Sequence, residues 1–531
     1  MPRVLLLLAI LISRASADDR SDAVDQILAA LRTPNGPGCA IGVIRQGRFV
    51  YTAAFGAADA KAHKPITTAT AFNVASLAKQ FTAAALYFLV ESGQVRLADP
   101  VRRYIPEMPA YAGSIALSDL LHHSSGLRDL NPLREVAGRL ATRLDAAASL
   151  KLLASQSAPN FAPGTDYEYS NSDYFLLGLI VERVGGKPLG EFARERIFQP
   201  LGMTRSAFEG QADGLGDVAQ GFMGNAPRFR PAPQPPLPDG AGGLYTTLED
   251  LLRWDRSFYA GASGLAEFLQ TRAQLASGER IDYAGGLTVG RYRGLRVVSH
   301  NGWLPGYSAD LTRFPGQELT VACLCNRGDV EAAGLSRRIA AIYLGGRLRK
   351  LPTGTNLGYP ESGFAELDGV WESRQGWLVR LWSAPDGLWV ETSDGRRKLA
   401  PLNRTQLFAD DTGFRLTLTR LTADRMQLQW EGSRPQAYTR LQGALPKRDQ
   451  LPAYAGAYFS PDADVRWRIL SEDGRLLLTT AEGWRIPLDA AGADRFIVGP
   501  WTLRFVRSET GAVRGLEVHR ERLWNLWFGR E

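Results

Sequence analysis

The pattern of this 531-residue chain changes once, near residue 360, and that change limits what it can fold into. Before it, helix-like and strand-like segments alternate. After it, short runs of alternating apolar and polar residues follow one another between turn residues, with almost no helical periodicity. The second part also repeats. Leu367-Asp368-Gly369-Val370-Trp371 matches Tyr454-Ala455-Gly456-Ala457-Tyr458, and Asp386-Gly387-Leu388 resembles Asp473-Gly474-Arg475-Leu476. Pro401-Leu402 matches Pro487-Leu488, and Phe408 matches Phe496. The offset stays at about 87 residues, the size of a small domain rather than of a solenoid unit. Two tandem β domains are therefore expected, over residues 360–445 and 450–531. Closed barrels suit such segments, because closure removes exposed strand edges.

Residues 18–350 read as a separate domain of mixed α and β structure. Cys39-Ala40-Ile41-Gly42-Val43-Ile44 reads as a buried strand and Gly47-Arg48-Phe49-Val50-Tyr51 as its hairpin partner. Phe81, Ala84, Ala85 and Phe88 fall at helical spacing after Ser76, with Gly93 as the stop. Leu97 to Tyr104 and Ser118 to His122 suggest a lobe of short helices. Phe175 to Val184 reads as another apolar helix, ended by Gly185-Gly186. Val297-Val298 and Leu319 to Leu324 look like sheet strands. Ala226 to Gly240 carries six prolines, which excludes a regular helix or central strand and predicts a surface loop.

The N-terminus reads as a secretory signal peptide over residues 1–17. A basic start is followed by the apolar run Val4 to Ile12 and by Ala15-Ser16-Ala17. The run is too short for the ~20 residues that span a bilayer, so no stable membrane span is expected. Cleavage after Ala17 would place the protein in the periplasm or outside the cell. The net charge of +7 is mild for this length and forms no basic stripe, so no nucleic-acid partner is expected. Three cysteines are too few for a disulfide-built fold, and Cys323 and Cys325 read as buried thiols on one face of a strand. The cysteines and the five histidines form no metal-ligand cluster of familiar spacing, and no cofactor is expected.

Ser76-Leu77-Ala78-Lys79 places a hydroxyl and an amine one helical turn apart. A lysine beside a serine can help draw off its proton and leave a nucleophile. Downstream come Leu120-Leu121-His122-His123-Ser124-Ser125-Gly126-Leu127, then Tyr169-Ser170-Asn171, then His300-Asn301-Gly302 after an apolar strand. Taken singly, Tyr169 and His300 would pass for core residues. His122 and His123 read as packing or capping residues with no catalytic role.

In this order the motifs S-x-x-K, Y-x-N and H-x-G resemble the serine β-lactamase and penicillin-binding superfamily, in its class C-like branch. The resemblance covers about residues 25 to 345. Phe198 to Met203 and Gly242-Gly243-Leu244-Tyr245-Thr246-Thr247 also look like the family. It implies an α+β fold: a β-lactamase-like domain with an antiparallel sheet flanked by helices and a helical lobe, followed here by the two barrel-like domains. It implies Ser76 as nucleophile and Tyr169 as shared base, or Lys79 if that amine is neutral. A nearby lysine cation would lower the Tyr169 phenol from its usual value of about 10. Asn171 would hold Lys79 and a substrate amide carbonyl. The backbone N–H groups of Ser76 and Trp303 would form the oxyanion hole, each worth on the order of 3 kcal/mol. Trp303 would also wall the substrate.

Many members carry a lysine in the third motif, where its cation binds a substrate carboxylate. His300 stands here instead, mostly neutral at pH 7 unless a neighbour raises its pKa. That departure disfavours efficient β-lactam hydrolysis. It favours peptides, amides or esters without an essential carboxylate at that point. The order of domains is similar to that of bacterial D-aminopeptidases, in which a loop from the last domain reaches the active site. An exported D-stereospecific peptidase or amidase is the expected function, with a small peptide, amide or ester as substrate and peptidoglycan as a candidate source of it. A carboxylesterase or weak β-lactamase with the same site is the alternative. A non-catalytic cell-wall-binding protein is the reading from another class, and an intact Ser76, Lys79, Tyr169, Asn171 set argues against it.

Overall fold

Cys39–Arg45 (β1) is apolar along nearly its whole length because it lies inside a sheet covered on both faces. The computed structural model describes residues 17–59, 64–139, 145–233, 240–259, 264–350, 366–392, 395–403, 405–411, 414–430, 434–480 and 483–531. The apolar leader run, part of the proline-rich loop and the junction near residue 360 lie outside them.

β1 turns into β2 (Arg48–Phe55). Four strands from the far end of the domain complete the sheet: β3 (Thr288–Tyr292), β4 (Leu295–Leu304), β5 (Tyr307–Phe314) and β6 (Leu319–Cys325). The order is β3-β4-β5-β6-β1-β2, and every pairing is antiparallel. Helices α1 (Ala17–Ala29) and, late in the chain, Ala332–Leu344 cover one face through Val24, Leu28, Leu335 and Ile339. The other face packs against the helical lobe, which is built on α2 (Lys79–Glu91) and α3 (Asn171–Gly185). α3 stops at Gly186, whose φ of 67° is the left-handed value that glycine adopts without a Cβ penalty.

The expected pair of thiols is corrected by this sheet. Cys39 and Cys325 are directly opposite in the β1–β6 register, and they form a disulfide. Cys323 shares the face and remains a buried thiol. Local spacing hides the bridge, because its partners are 286 residues apart. A cross-link closing so long a loop restrains the unfolded chain, typically by about 2–4 kcal/mol.

Beyond the junction, the strands from Gly369–Ser373 to Gln436–Arg440 close into one barrel, and those from Gly456–Ser460 to Leu523–Arg530 into a second. In each, the first strand pairs with the last. The repeat has a physical counterpart: Trp371 Nε1 donates to Leu367 O at 3.0 Å, and the Tyr458 hydroxyl donates to Tyr454 O at 2.7 Å. Each buried aromatic thus ties its strand to the turn four residues before it. The first barrel has its own apolar interior, whereas that of the second runs on into the helical lobe. Among the described residues, no helix is long and apolar enough to cross a membrane.

Candidate active site

Ser76 sits in a 3-10 turn, Ala75–Ala78, that runs straight into α2. Ala75 before it has φ 47°, a left-handed value that is uncommon for a residue with a Cβ. Leu244–Thr246 pairs with Phe72–Asn73 and, through Leu244 O, takes the N–H of Val74. The Gly242 to Thr247 segment therefore lays down the strand beside the approach to Ser76.

Lys79 is fully buried, and its Nζ has three acceptors within reach. They are Ser76 Oγ at 3.1 Å, Asn171 Oδ1 at 2.8 Å and the carbonyl of Ala241 at 2.7 Å. Burial pushes the amine well below the usual lysine value; the Asp129 carboxylate pulls the other way, and the Arg522 guanidinium adds to the lowering. The two amide-type oxygens can only accept. A neutral amine therefore spends two N–H groups on them and can turn its lone pair to the Ser76 hydroxyl.

Asn171 opens α3. Its Nδ2 is 3.0 Å from Asp129 Oδ2, and its backbone N–H donates to the same oxygen at 2.8 Å. The side chain thus bridges Lys79 and Asp129, and the carboxylate competes for the N–H group assigned to a substrate carbonyl. Asp129 itself follows the Leu120 to Leu127 motif by two residues.

The Tyr169 ring lies 4.8 Å from Lys79 Nζ. Its hydroxyl is buried and makes no hydrogen bond of good geometry. Burial holds the phenol well above the usual tyrosine value, while the Ser76 hydroxyl and then Arg522 pull against it. The sequence-based expectation of a phenol lowered by Lys79 is thereby overturned: burial outweighs every neighbouring charge, and Lys79 is not among the groups that lower it.

His300 lies in β4. Its Nδ1 is 2.6 Å from the Asn301 carbonyl, which can only accept, and its Nε2 is 3.0 Å from the Tyr283 hydroxyl. That network assigns the proton to Nδ1 and makes Nε2 the acceptor. Burial lowers His300 to about 3, and Lys79 adds to the effect. The imidazole is neutral and takes no part as a cation.

β3 pairs with β4 only as far as Ser299, so His300 to Leu304 present a strand edge that β3 does not cover. The Ser76 turn lies against that edge. A Cβ on Gly302 would stand 2.0 Å from Val74 O and 3.0 Å from Ser76 N. Trp303 is 60% exposed, with its indole N–H bonded to Gly328 O at 2.9 Å.

The second barrel completes the site. The Arg522 guanidinium lies 4.7 Å over the Tyr169 ring. The turn that carries it is anchored where its carbonyl accepts from Asp129 N–H at 3.0 Å and Asn160 Nδ2 at 3.1 Å. Nearby, the buried ion pair Arg128–Asp462, at 2.7 Å, joins the same barrel to the helical lobe. Arg374 and Arg434 of the first barrel pair with Asp166, close in sequence to Tyr169. Sequence reasoning missed Asp129, Tyr283, Ala241 and Arg522; only Asp129 and Ala241 lie beside a motif that could have flagged them. Among the described residues, no group of three or more His, Cys, Asp or Glu side chains is placed to hold a metal ion.

Comparison with known proteins places this geometry among related chains. A family profile described as Beta-lactamase matches residues 24–344. A D-aminopeptidase of Cereibacter sphaeroides is 29% identical over 530 residues, covering 94% of this chain and 96% of that protein. One from Brucella anthropi is 25% identical, covering 91% and 93%. Among solved structures, the octameric penicillin-binding protein homologue from Pyrococcus abyssi aligns with a TM-score of 0.56 at 22% identity, covering 79% of this chain and 99% of that one. A D-stereospecific amidohydrolase from Streptomyces sp. aligns at 0.50 and 21%, covering 61% and 99%. These two likenesses show the shared fold.

Proposed function

The chain belongs to the beta-lactamase family and is a serine hydrolase, and we propose that it is a D-stereospecific peptidase or amidase working through an acyl-enzyme on Ser76. The single observation behind the mechanism is the triple coordination of Lys79 Nζ by Ser76 Oγ, Asn171 Oδ1 and Ala241 O. The neutral amine takes the Ser76 proton as Oγ attacks the amide carbonyl. The tetrahedral oxyanion is met by the backbone N–H groups of Ser76 and Trp303. Collapse breaks the C–N bond, and the proton held on Lys79 passes to the leaving amine, a transfer in which we assign the relay to the Tyr169 hydroxyl, buried close to Lys79. Water then attacks the ester, Lys79 accepts its proton and returns it to Ser76 Oγ as the acyl C–Oγ bond breaks, and the acid product leaves.

The D-stereospecific part rests on relatives named D-aminopeptidase whose matches cover 94% and 91% of the chain. A neutral His300 supports substrates that need no cation in the third motif. The test compares D-alanine p-nitroanilide, p-nitrophenyl butyrate and nitrocefin, with Ser76→Ala as control. Turnover of the D-anilide that Ser76→Ala abolishes is expected. Fast ester turnover with no D-amide cleavage would make the protein a carboxylesterase instead.

We also propose export to the cell envelope. The Cys39–Cys325 disulfide supports it, since such bridges persist in oxidising compartments. Protein from the periplasmic fraction is expected to begin at Asp18 and to gain two mass units on reduction. An intact Met1 in that fraction, or free Cys39 and Cys325, would count against it.

A further inference from the structure

The motif Leu120 to Leu127 contributes nothing to the chemistry above, yet its His123 touches three consecutive residues with Tyr169 in the middle. His123 is fully buried, and its backbone holds φ 59°, again left-handed. Its carbonyl accepts the N–H of Glu168 at 3.0 Å. Its ring lies against the Tyr169 ring, with centroids 4.5 Å apart. Its Nδ1 is 3.3 Å from the backbone nitrogen of Ser170.

The imidazole is itself held in place. Nδ1 lies 2.8 Å from Asp173 Oδ2, and the Ser125 hydroxyl donates to the other carboxylate oxygen at 2.5 Å. Asp173 is in the first turn of α3, two residues past Asn171. On its other side the imidazole meets the Tyr283 ring at 4.4 Å, and Tyr283 in turn bonds to His300. One ring is thus fixed between the tyrosine of the second motif and the partner of the third.

Tyr169 needs such a support. Its hydroxyl makes no hydrogen bond of good geometry, with the Ser76 hydroxyl close enough only to weigh on it, so the packing of the ring does most to set where the phenol points. A displacement of about 1 Å at a reacting group can lower a rate on the order of 100-fold.

We propose that His123, anchored by Asp173 and Ser125, is the positioning residue for Tyr169 and acts on acyl transfer only through that phenol. This rests on reading Tyr169 as a member of the catalytic set.

A double-mutant cycle tests the inference on the full-length protein, using His123→Phe, Tyr169→Phe and the two combined. The readouts are the rate of covalent labelling of Ser76 by a fluorophosphonate probe, kcat and KM on D-alanine p-nitroanilide, and the thermal midpoint. His123→Phe is expected to slow labelling and kcat by about 10- to 100-fold with KM unchanged. In the Tyr169→Phe background the same exchange is expected to cost less than about 2-fold, because the phenol it positions is gone. Equal losses in both backgrounds, or none in the first, would overturn the inference. Tyr169→Phe at wild-type rate would overturn the Tyr169 reading along with it, whereas an impaired Tyr169→Phe with additive losses overturns the His123 inference alone. Should His123→Phe fail to fold, Asp173→Asn carries the same cycle. It keeps the shape of the anchor and is expected to show the same loss of effect once Tyr169 is phenylalanine.

Discussion

Exchange of Lys79 for methionine is expected to lower kcat/KM by about a thousandfold, within the 10²–10⁴ range of a positioned general base. Methionine keeps much of the volume, so the loss reports the amine. The buried site makes this loss separable from unfolding. Burying the lysine carries the cost of desolvating or neutralising its amine, which its acceptors only partly offset, and replacing it leaves Asn171 Oδ1 and Ala241 O without their donor. These terms oppose one another, so the thermal midpoint should move little beside the rate. The sign of the pH dependence follows from the same burial. A base must be deprotonated to act, so kcat/KM should rise with pH through the Lys79 pKa and level off above it. Because burial lowers that pKa well below the usual lysine value, the plateau should be reached far below the pH at which a solvated lysine ionises. A pH–rate profile from stopped assays checks this. A limb that tracks an unperturbed lysine, or a Lys79→Met enzyme within tenfold of wild type, would remove Lys79 as the base.

Ser76 and Lys79 were legible in the sequence because their relation is local, one turn of one helix. Tyr169, Asn171 and His300 were legible only through the order of motifs, since no local pattern distinguishes them from core residues. The direction of the Tyr169 shift was not legible. A neighbouring cation argues for a lowered phenol, but burial, which only the packed structure reveals, exceeds it. Arg522 carries no sequence signal at all, because its position over Tyr169 depends on how the second barrel docks. The strand Tyr307–Phe314 escaped notice for a related reason. All its positions are buried, yet Ser308, Asp310, Thr312 and Arg313 break the apolar run. Burial is tolerated there because partners exist: Arg313 Nε meets Asp255 Oδ1 at 2.8 Å, and Thr312 Oγ1 donates to Asp310 Oδ2 at 2.7 Å. The 87-residue repeat, by contrast, survives because Trp371 and Tyr458 each cap a barrel in the same way.

Gly302→Ala is expected to cost about 100-fold or more in kcat while leaving both barrels folded. The added methyl carbon would stand 2.0 Å from the Val74 carbonyl oxygen and 3.0 Å from the Ser76 nitrogen, and neither backbone atom can swing away as a side chain could. Relief must come from moving β4 away from the turn that carries Ser76. That movement separates the two proposed oxyanion donors, since one lies on the turn and the other follows Gly302 on the strand. Loss of one such donor alone typically costs 10²–10³ in kcat. The substrate's remaining contacts are displaced less, so KM should change by less than kcat, and Lys79 should still meet Ser76 because both ride on the same turn and helix. Slow labelling of Ser76 by a fluorophosphonate, whose phosphoryl oxygen needs the same donors, should accompany the loss. Wild-type kcat in a folded Gly302→Ala protein would show that the strand edge at Gly302 and Trp303 does not face the reacting carbonyl.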